Sequence, residues 1–400
     1  MNPDASLQTT ETCEVAVIGG GLVGAATALA LLKLGLRVAL IEQHPAPVPT
    51  DTWDPRIYAI SPASEDLLRE LGAWQRMDPA RLQAVYRMDV HGDAQGHLRF
   101  DAYQSGLARL ATILESSRLQ HALWQAIREQ DDTALRCPAE LASISWDSPT
   151  STLHFADGSC LRAELVIAAD GGHSRVRALA GLTHHTTLYS QQGVVANFAC
   201  ELPHRGTAFQ WFNPSHHPGD IVTYLPLAGD SGNRLSLVWS TERAAALLEL
   251  DAEAFSQQVA SAGFARLGKL SLLTPPVAFP LQLTRVERLF KPGIVLVGDA
   301  AHGVHPLAGQ GVNLGFADVA ALRAVLRKRG SARCGDERLL ARYARQRALS
   351  VAQMQGVLHG LYHLFYLEGA SWPRNTGMNL LNHLGFAKSA LVREATHFSP

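Results

Sequence analysis

The chain has 400 residues, 47% hydrophobic and 18% charged, which is enough for two packed domains and excludes a disordered chain. Its 35 basic and 36 acidic side chains leave a net charge of −1, which argues against a nucleic-acid binder. The five cysteines, Cys13, Cys137, Cys160, Cys200 and Cys334, are scattered and odd in number, which excludes a complete disulfide framework and predicts reduced thiols in a cytoplasmic protein.

The first fourteen residues, MNPDASLQTTETCE, lack the basic start of a secretory signal. The apolar run from Val15 to Leu32 reaches membrane-spanning length. Its glycines point elsewhere. Val15, Val17 and Ile18 predict a buried parallel strand, and Gly19, Gly21 and Gly24 follow in G-x-G-x-x-G spacing. An Ala/Leu-rich helix then stops near Gly35, and a second strand, Val38 to Ile41, closes on Glu42. In such a unit Gly19 permits the tight turn, Gly21 admits a pyrophosphate and Gly24 lets helix and strand pack closely. The phosphates sit on free N–H groups at the helix start, and Glu42 falls where an acid accepts from ribose hydroxyls. The pattern predicts a bound dinucleotide without choosing between NAD and FAD.

Further along, a strand from Leu165 to Ala168 runs into Asp170-Gly171, and another from Ile294 to Val297 ends on Gly298-Asp299. Strands ending this way place carboxylates at the carboxyl edge of a parallel sheet, where ligands bind. A second acid there suits the long FAD molecule, with Asp299 on its ribitol hydroxyls. A helix beginning near Val312 would point its positive end at the flavin, and Gly309 and Gly311 would allow close approach.

Between these motifs, GVVANFAC (193–200), DIVTYLPL (220–227) and RLSLVWS (234–240) read as sheet strands. The expected fold is α/β, α+β overall. A Rossmann-type FAD-binding domain (1–75, 101–187 and 285–345) carries an inserted, mostly antiparallel β-sheet substrate domain (76–100 and 188–284) and a C-terminal helical segment (346–400). The aromatic residues of that segment, Tyr362, Phe365, Tyr366 and Trp372, read as helix core, with a lipid-facing surface as the alternative. Only one G-x-G-x-x-G occurs, so a nicotinamide donor has no Rossmann domain of its own and binds transiently.

Other constellations carry less. His302 and His305 lack a convincing third ligand, so no metal is expected. His184-His185 and His216-His217 read as solvated loop pairs. Ser61 and Ser174 lack a G-x-S-x-G context, so no hydrolase is indicated.

The stretch GDAAHGVHPLAGQGVNLGFADV, with DPRIYAISPASEDLLRELGAW (54–74), LESSRLQHALWQAI (114–127) and the Leu225-Pro226-Leu227 triplet, resembles the class A flavin-dependent aromatic hydroxylases, the p-hydroxybenzoate hydroxylase superfamily. Within it the chain looks most like the ubiquinone-biosynthesis hydroxylases. It departs from them at Glu115-Ser116, usually Glu-Asn, and at Tyr189-Ser190-Gln191, where a Gly often precedes the Gln. The resemblance implies FAD contacts at Gly19, Gly21, Gly24, Glu42, Arg56, Asp170, Asp299 and Gly311, Val312 and Asn313, with Pro306, Gly309 and Gln310 lining the flavin front. It implies a monooxygenase that uses NAD(P)H and dioxygen, through a flavin hydroperoxide, to hydroxylate a prenylated phenol or quinol. No side-chain nucleophile is required. Other ubiquinone-biosynthesis proteins and a peripheral membrane contact go with such a substrate. The alternatives are a hydroxylase of a small soluble aromatic acid and a non-catalytic flavin-binding component of a biosynthetic complex.

Overall fold

The structure, a computed structural model, describes residues 11–45, 48–213, 219–229, 231–304, 309–367 and 369–396. Its first sheet runs Phe290–Lys291, Ile294–Leu296, Cys160–Ala168, Glu11–Ile18, Val38–Ile41, Leu135–Arg136. Along this path all neighbours are parallel except the first pair, and Thr150–Phe155 and Leu141–Asp147 extend Cys160–Ala168 as antiparallel strands. A strand alternates its faces, and Glu11–Ile18 uses both. Val15 and Val17 join a core with the helices Leu22–Leu32, Ser116–Asp131 and Gly311–Arg327. Ala16 and Ile18 face a second core with Leu153, Phe155 and Val176. The apolar run after Val15 is thus one strand and one 11-residue helix, and no helix among the described residues is long and apolar enough to cross a membrane.

The second sheet has nine strands and is antiparallel apart from one pair. Its centre is the 17-residue strand His184–Cys200, flanked by Val277–Val286 and Arg234–Thr241. The expected loop at His184-His185 is instead the exposed start of this strand, paired with Val286 and Arg285. Repeated threonines (Thr186, Thr187) carry the extended backbone outward there. The pair His216-His217 lies outside the described residues. The ladder with Val277–Val286 breaks between Leu188 and Gln192, at the family departure Tyr189-Ser190-Gln191, and the bulge lays Tyr189 on Tyr362 at 4.6 Å between ring centroids.

At the far edge lies the hairpin Arg87–His91 and His97–Asp101. An open edge invites pairing with another chain. Here the helix Ser371–His383 covers it with an asparagine ladder. Asn375, Asn379 and Asn382 accept from the N–H groups of Gly96, His97 and Arg99 at 2.9, 2.9 and 3.1 Å. Gly92 and Gly96 make room: a Cβ at either would lie 2.1 or 2.2 Å from Asn375 Oδ1. The C-terminal aromatics divide. Tyr362 and Phe365 are buried, whereas Tyr366 and Trp372 are exposed. The helix core expectation holds for the first pair only: Tyr366 stacks on Tyr362 but ends its helix partly in solvent, and Trp372 opens the next helix, Ser371–His383.

Candidate functional site

Three strand ends of the first sheet meet in register. Gly19 N–H donates to Ile41 O, Ala169 N–H to Ile18 O and Val297 N–H to Ala168 O. The three glycine-acid motifs therefore converge at one sheet edge.

The glycines of the first motif differ in what they do. Gly19 has φ +105°, and a Cβ there would meet Ala169 O at 2.4 Å. A Cβ on Gly24 would fall 1.9 Å from Gly19 O. These two are demanded by the protein itself. Gly21, at the N-cap of Leu22–Leu32, would meet nothing within 4 Å. The protein leaves that space clear. Glu42 braces the loop: its carboxylate accepts from Gly20 N–H at 2.6 Å and His44 N–H at 2.9 Å. The Gly20 carbonyl is held from the other side by Trp124 Nε1–H at 2.8 Å and Gln120 Nε2–H at 2.7 Å. Neither residue belongs to a sequence motif for this loop.

Asp170 braces the turn that follows its strand. Its carboxylate accepts from Ser174 Oγ–H at 2.5 Å and Val176 N–H at 3.0 Å, at the start of the helix Arg175–Leu179. Ser174 and Ser61 are both helix caps. The buried Arg177 donates to Gly172 O and to Ala300 O, both at 2.8 Å, and so ties the second motif to the third.

Asp299 sits in a single 3₁₀ turn, Gly298–Ala300. Solvent reaches its side chain, yet protein walls it on most sides. That enclosure raises its pKa; His302 and Arg56 oppose the shift, and Asp318 adds to it. Arg56 is exposed, and its guanidinium has no ion-pair partner among the described residues. Tyr58 completes this corner. Its phenol is pushed up by burial, feels Arg56 and Asp299, and hydrogen-bonds Ser116.

The turn is clamped from below. Asp318, fully buried, accepts from Gly298 N–H at 2.9 Å, His302 Nε2 at 2.7 Å and Arg347 Nε at 2.6 Å. Burial works to raise this carboxyl, but His302 and Arg347 hold it below its ordinary value. His302 thus belongs to a buried charge network, and no cluster of metal-ligating side chains occurs among the described residues.

The helix Gly311–Arg327 starts without a side-chain cap, and its first turn contains no acid. The N–H groups of its first turn are the usual orphan donors. Gly309 has φ +61°. Asn313 turns its side chain inward, accepting from Ser61 N–H and Ser64 Oγ–H and donating to Ala59 O. Its side chain locks the helix to the 57–64 segment, leaving the backbone for a ligand. Gln310 Oε1 lies 3.4 Å from Asn313 Nδ2. Pro306 and His305 fall outside the described residues.

The arrangement fits FAD: an open glycine turn, an accessible carboxylate and an arginine without partners among the described residues, and an uncapped helix start gather at the carboxyl edge of one sheet. Comparison with known proteins agrees. Residues 12–356 match the family model for an FAD binding domain. The chain is 35% identical over 396 residues to 3-demethoxyubiquinol 3-hydroxylase of Escherichia coli (strain K12), covering 97% of this chain and 99% of that protein. It is 34% identical over 370 residues to the human mitochondrial ubiquinone biosynthesis monooxygenase COQ6, with 78% and 76% covered. Among solved structures, p-nitrophenol 4-monooxygenase PnpA of Pseudomonas putida DLL-E4 superposes with a TM-score of 0.78 at 19% identity, covering 98% of this chain and all of that one.

Proposed function

The chain belongs to the FAD-binding domain family of flavin monooxygenases, and from that premise we propose that it hydroxylates the aromatic ring of a polyprenylated phenol or quinol in ubiquinone biosynthesis, with NAD(P)H and dioxygen. The observation that carries this reading is the convergence of the three motifs on one sheet edge, in a chain alike end to end to a demethoxyubiquinol hydroxylase.

In this reading Gly21 and the N–H groups that follow it receive the pyrophosphate. Glu42, with lone pairs left beyond its two backbone bonds, accepts from ribose hydroxyls. Asp299 accepts from the ribitol, and Arg56 offsets negative charge beside it. Asp170 holds the loop that it caps, with lone pairs left beyond its two bonds. The first turn of Gly311–Arg327 faces the pyrimidine end with its positive dipole. Bound flavin supplies electron transfer and oxygen activation; the chain's residues position the ring and keep water out.

The substrate side supports a large apolar ligand. The inner face of the second sheet, next to Val304 and the flavin-front loop, gathers Met88, Phe100, Phe212, Met354 and Phe365 into one apolar cluster. Exposed apolar side chains gather on the C-terminal helices, among them Leu349, Leu361, Leu364, Trp372 and Phe386. Patches of this kind mark contact surfaces, and a polyprenyl substrate lives in a bilayer. Peripheral membrane contact through these helices follows, and with it association with other proteins of the pathway. The test is mass spectrometry of quinone intermediates in a strain lacking the gene. Accumulation of a prenylated ring short of one oxygen is expected; unchanged ubiquinone overturns the proposal.

A further inference from the structure

The edge hairpin of the second sheet has two unlike faces. Val90 and Leu98 point inward to the apolar cluster, so Arg87, Asp89, His91, His97, Arg99 and Asp101 share the outward face. The outward side of the neighbouring strands is covered: Phe209 and Trp211 of Thr207–Phe212 pack in one core with Phe255 and Val259 of the helix Ala252–Ala262. Between that cover and the hairpin lie two adjoining concavities of about 440 and 330 Å³, both lined by Arg87 and Arg205.

The charges in this groove do not cancel. Arg87 pairs with Asp101 at 2.9 Å and Arg99 with Asp89 at 2.7 Å. Arg205 and Arg266 have no acidic partner among the described residues. Four arginines against two aspartates leave two positive charges over, in a chain whose net charge is −1. Arg266 lies over the Phe209 ring at 5.3 Å, which fixes it at the groove wall.

The backbone that presents these arginines is strained. Arg205, Phe264 and Ala265 have φ of +52°, +52° and +49°, values that residues with a side chain rarely adopt. They account for three of the four such residues among those described, and they carry or directly precede the two unpaired arginines. Strain of this kind concentrates at binding sites. Around the groove stand exposed Tyr103, Tyr86, Phe264 and Leu202. Arginine and tyrosine together are the composition of interface anchors.

We propose that this groove docks an acidic segment of a partner protein, on the face of the second sheet opposite the apolar cluster. A polypeptide fits better than a free anion: the unpaired cations line an open, elongated surface flanked by exposed aromatic rings rather than an enclosed pocket.

The test is fluorescence anisotropy of the FAD-loaded protein with a labelled peptide of alternating Glu and Phe, at low ionic strength. The unaltered protein should bind it, and salt should weaken binding. The Arg205→Glu, Arg266→Glu double variant should lose about tenfold in affinity, as interface anchors do, while its melting temperature and flavin content hold. A peptide of alternating Gln and Phe should bind correspondingly less. Three results would overturn the proposal: no binding of the acidic peptide, equal binding by the double variant, or displacement of the peptide by inorganic phosphate but not by chloride at matched ionic strength. The last would mark a small-anion site instead.

Discussion

Asp318 and His302 meet at 2.7 Å in the interior, Oδ2 to Nε2, with side-chain exposures of 0% and 2%. The same carboxylate holds Arg347 through its other oxygen and Gly298 N–H through the first. Asp299 is therefore suspended between two residues that share one buried anchor. Removing one member of a buried charge network leaves the others unpaired, at about 3–5 kcal/mol. Asp318→Ala should destabilise by that amount in denaturant unfolding and loosen FAD binding, although Asp318 touches no ligand in this account. A loss below about 1 kcal/mol would mean the network relaxes without it.

The two glycines of the nucleotide turn should separate fold from ligand. Gly24→Ala drives a methyl into Gly19 O, 1.9 Å away. That clash outweighs the gain of about 1 kcal/mol in helix propensity, so the melting temperature should fall even without flavin. Gly21→Ala meets no protein atom within 4 Å and has an ordinary φ of −65°. Its apoprotein should melt near the unaltered value while FAD affinity drops. Equal flavin binding by Gly21→Ala would place the pyrophosphate elsewhere.

Asp299→Ala removes the acceptor assigned to the ribitol hydroxyls. The expected cost is about 1–3 kcal/mol, a ten- to hundredfold loss of FAD affinity in equilibrium titration. Glu42→Arg should cost more, because it also frees Gly20 N–H and His44 N–H and sets donors beside the ribose. Unchanged affinity in both variants would refute this placement of the cofactor.

Much of this site was legible in the chain itself. Gly19, Gly21, Gly24 and Glu42 declare their geometry through local spacing, and Asp299 through the strand that precedes it. What stayed hidden is contact across long separations. Trp124 and Gln120 reach Gly20 O from about a hundred residues away. Arg177 follows Asp170-Gly171 closely in the chain, yet its partner Ala300 O is 123 residues on. Asp318 and Arg347 read as ordinary helix residues until packing brings them to His302. The asparagine ladder is spaced like a helix face, but nothing local says that the face meets a strand edge. Asp170 shows both kinds of information: its place past the strand end is local, and its bonds to Ser174 and Val176 appear only in the folded turn.

Acid should release the C-terminal helix. Asp93 is partly desolvated, which alone would raise its pKa, but bonds from Arg374 and Asn375 bring it down to about 2. A depressed folded value means the stabilisation is complete above the ordinary carboxyl range near 4 and declines as pH falls toward 2. The protection of Ser371–His383 amides against hydrogen exchange, taken relative to the intrinsic rate at each pH, should therefore fall between about pH 4 and pH 2, and Asp93→Asn should blunt that dependence. Equal protection at both ends in the unaltered protein would show that the asparagine ladder alone holds the helix.

The central claim is oxygen transfer to a prenylated ring. The direct measurement supplies the FAD-loaded protein with NAD(P)H, isotopically heavy dioxygen and a prenylated phenol in detergent, then weighs the product. One heavy oxygen atom on the ring is expected, with salicylate and p-hydroxybenzoate turned over far more slowly. Nicotinamide oxidation without incorporation into the prenylated ring, or a preference for the small acids, would contradict it.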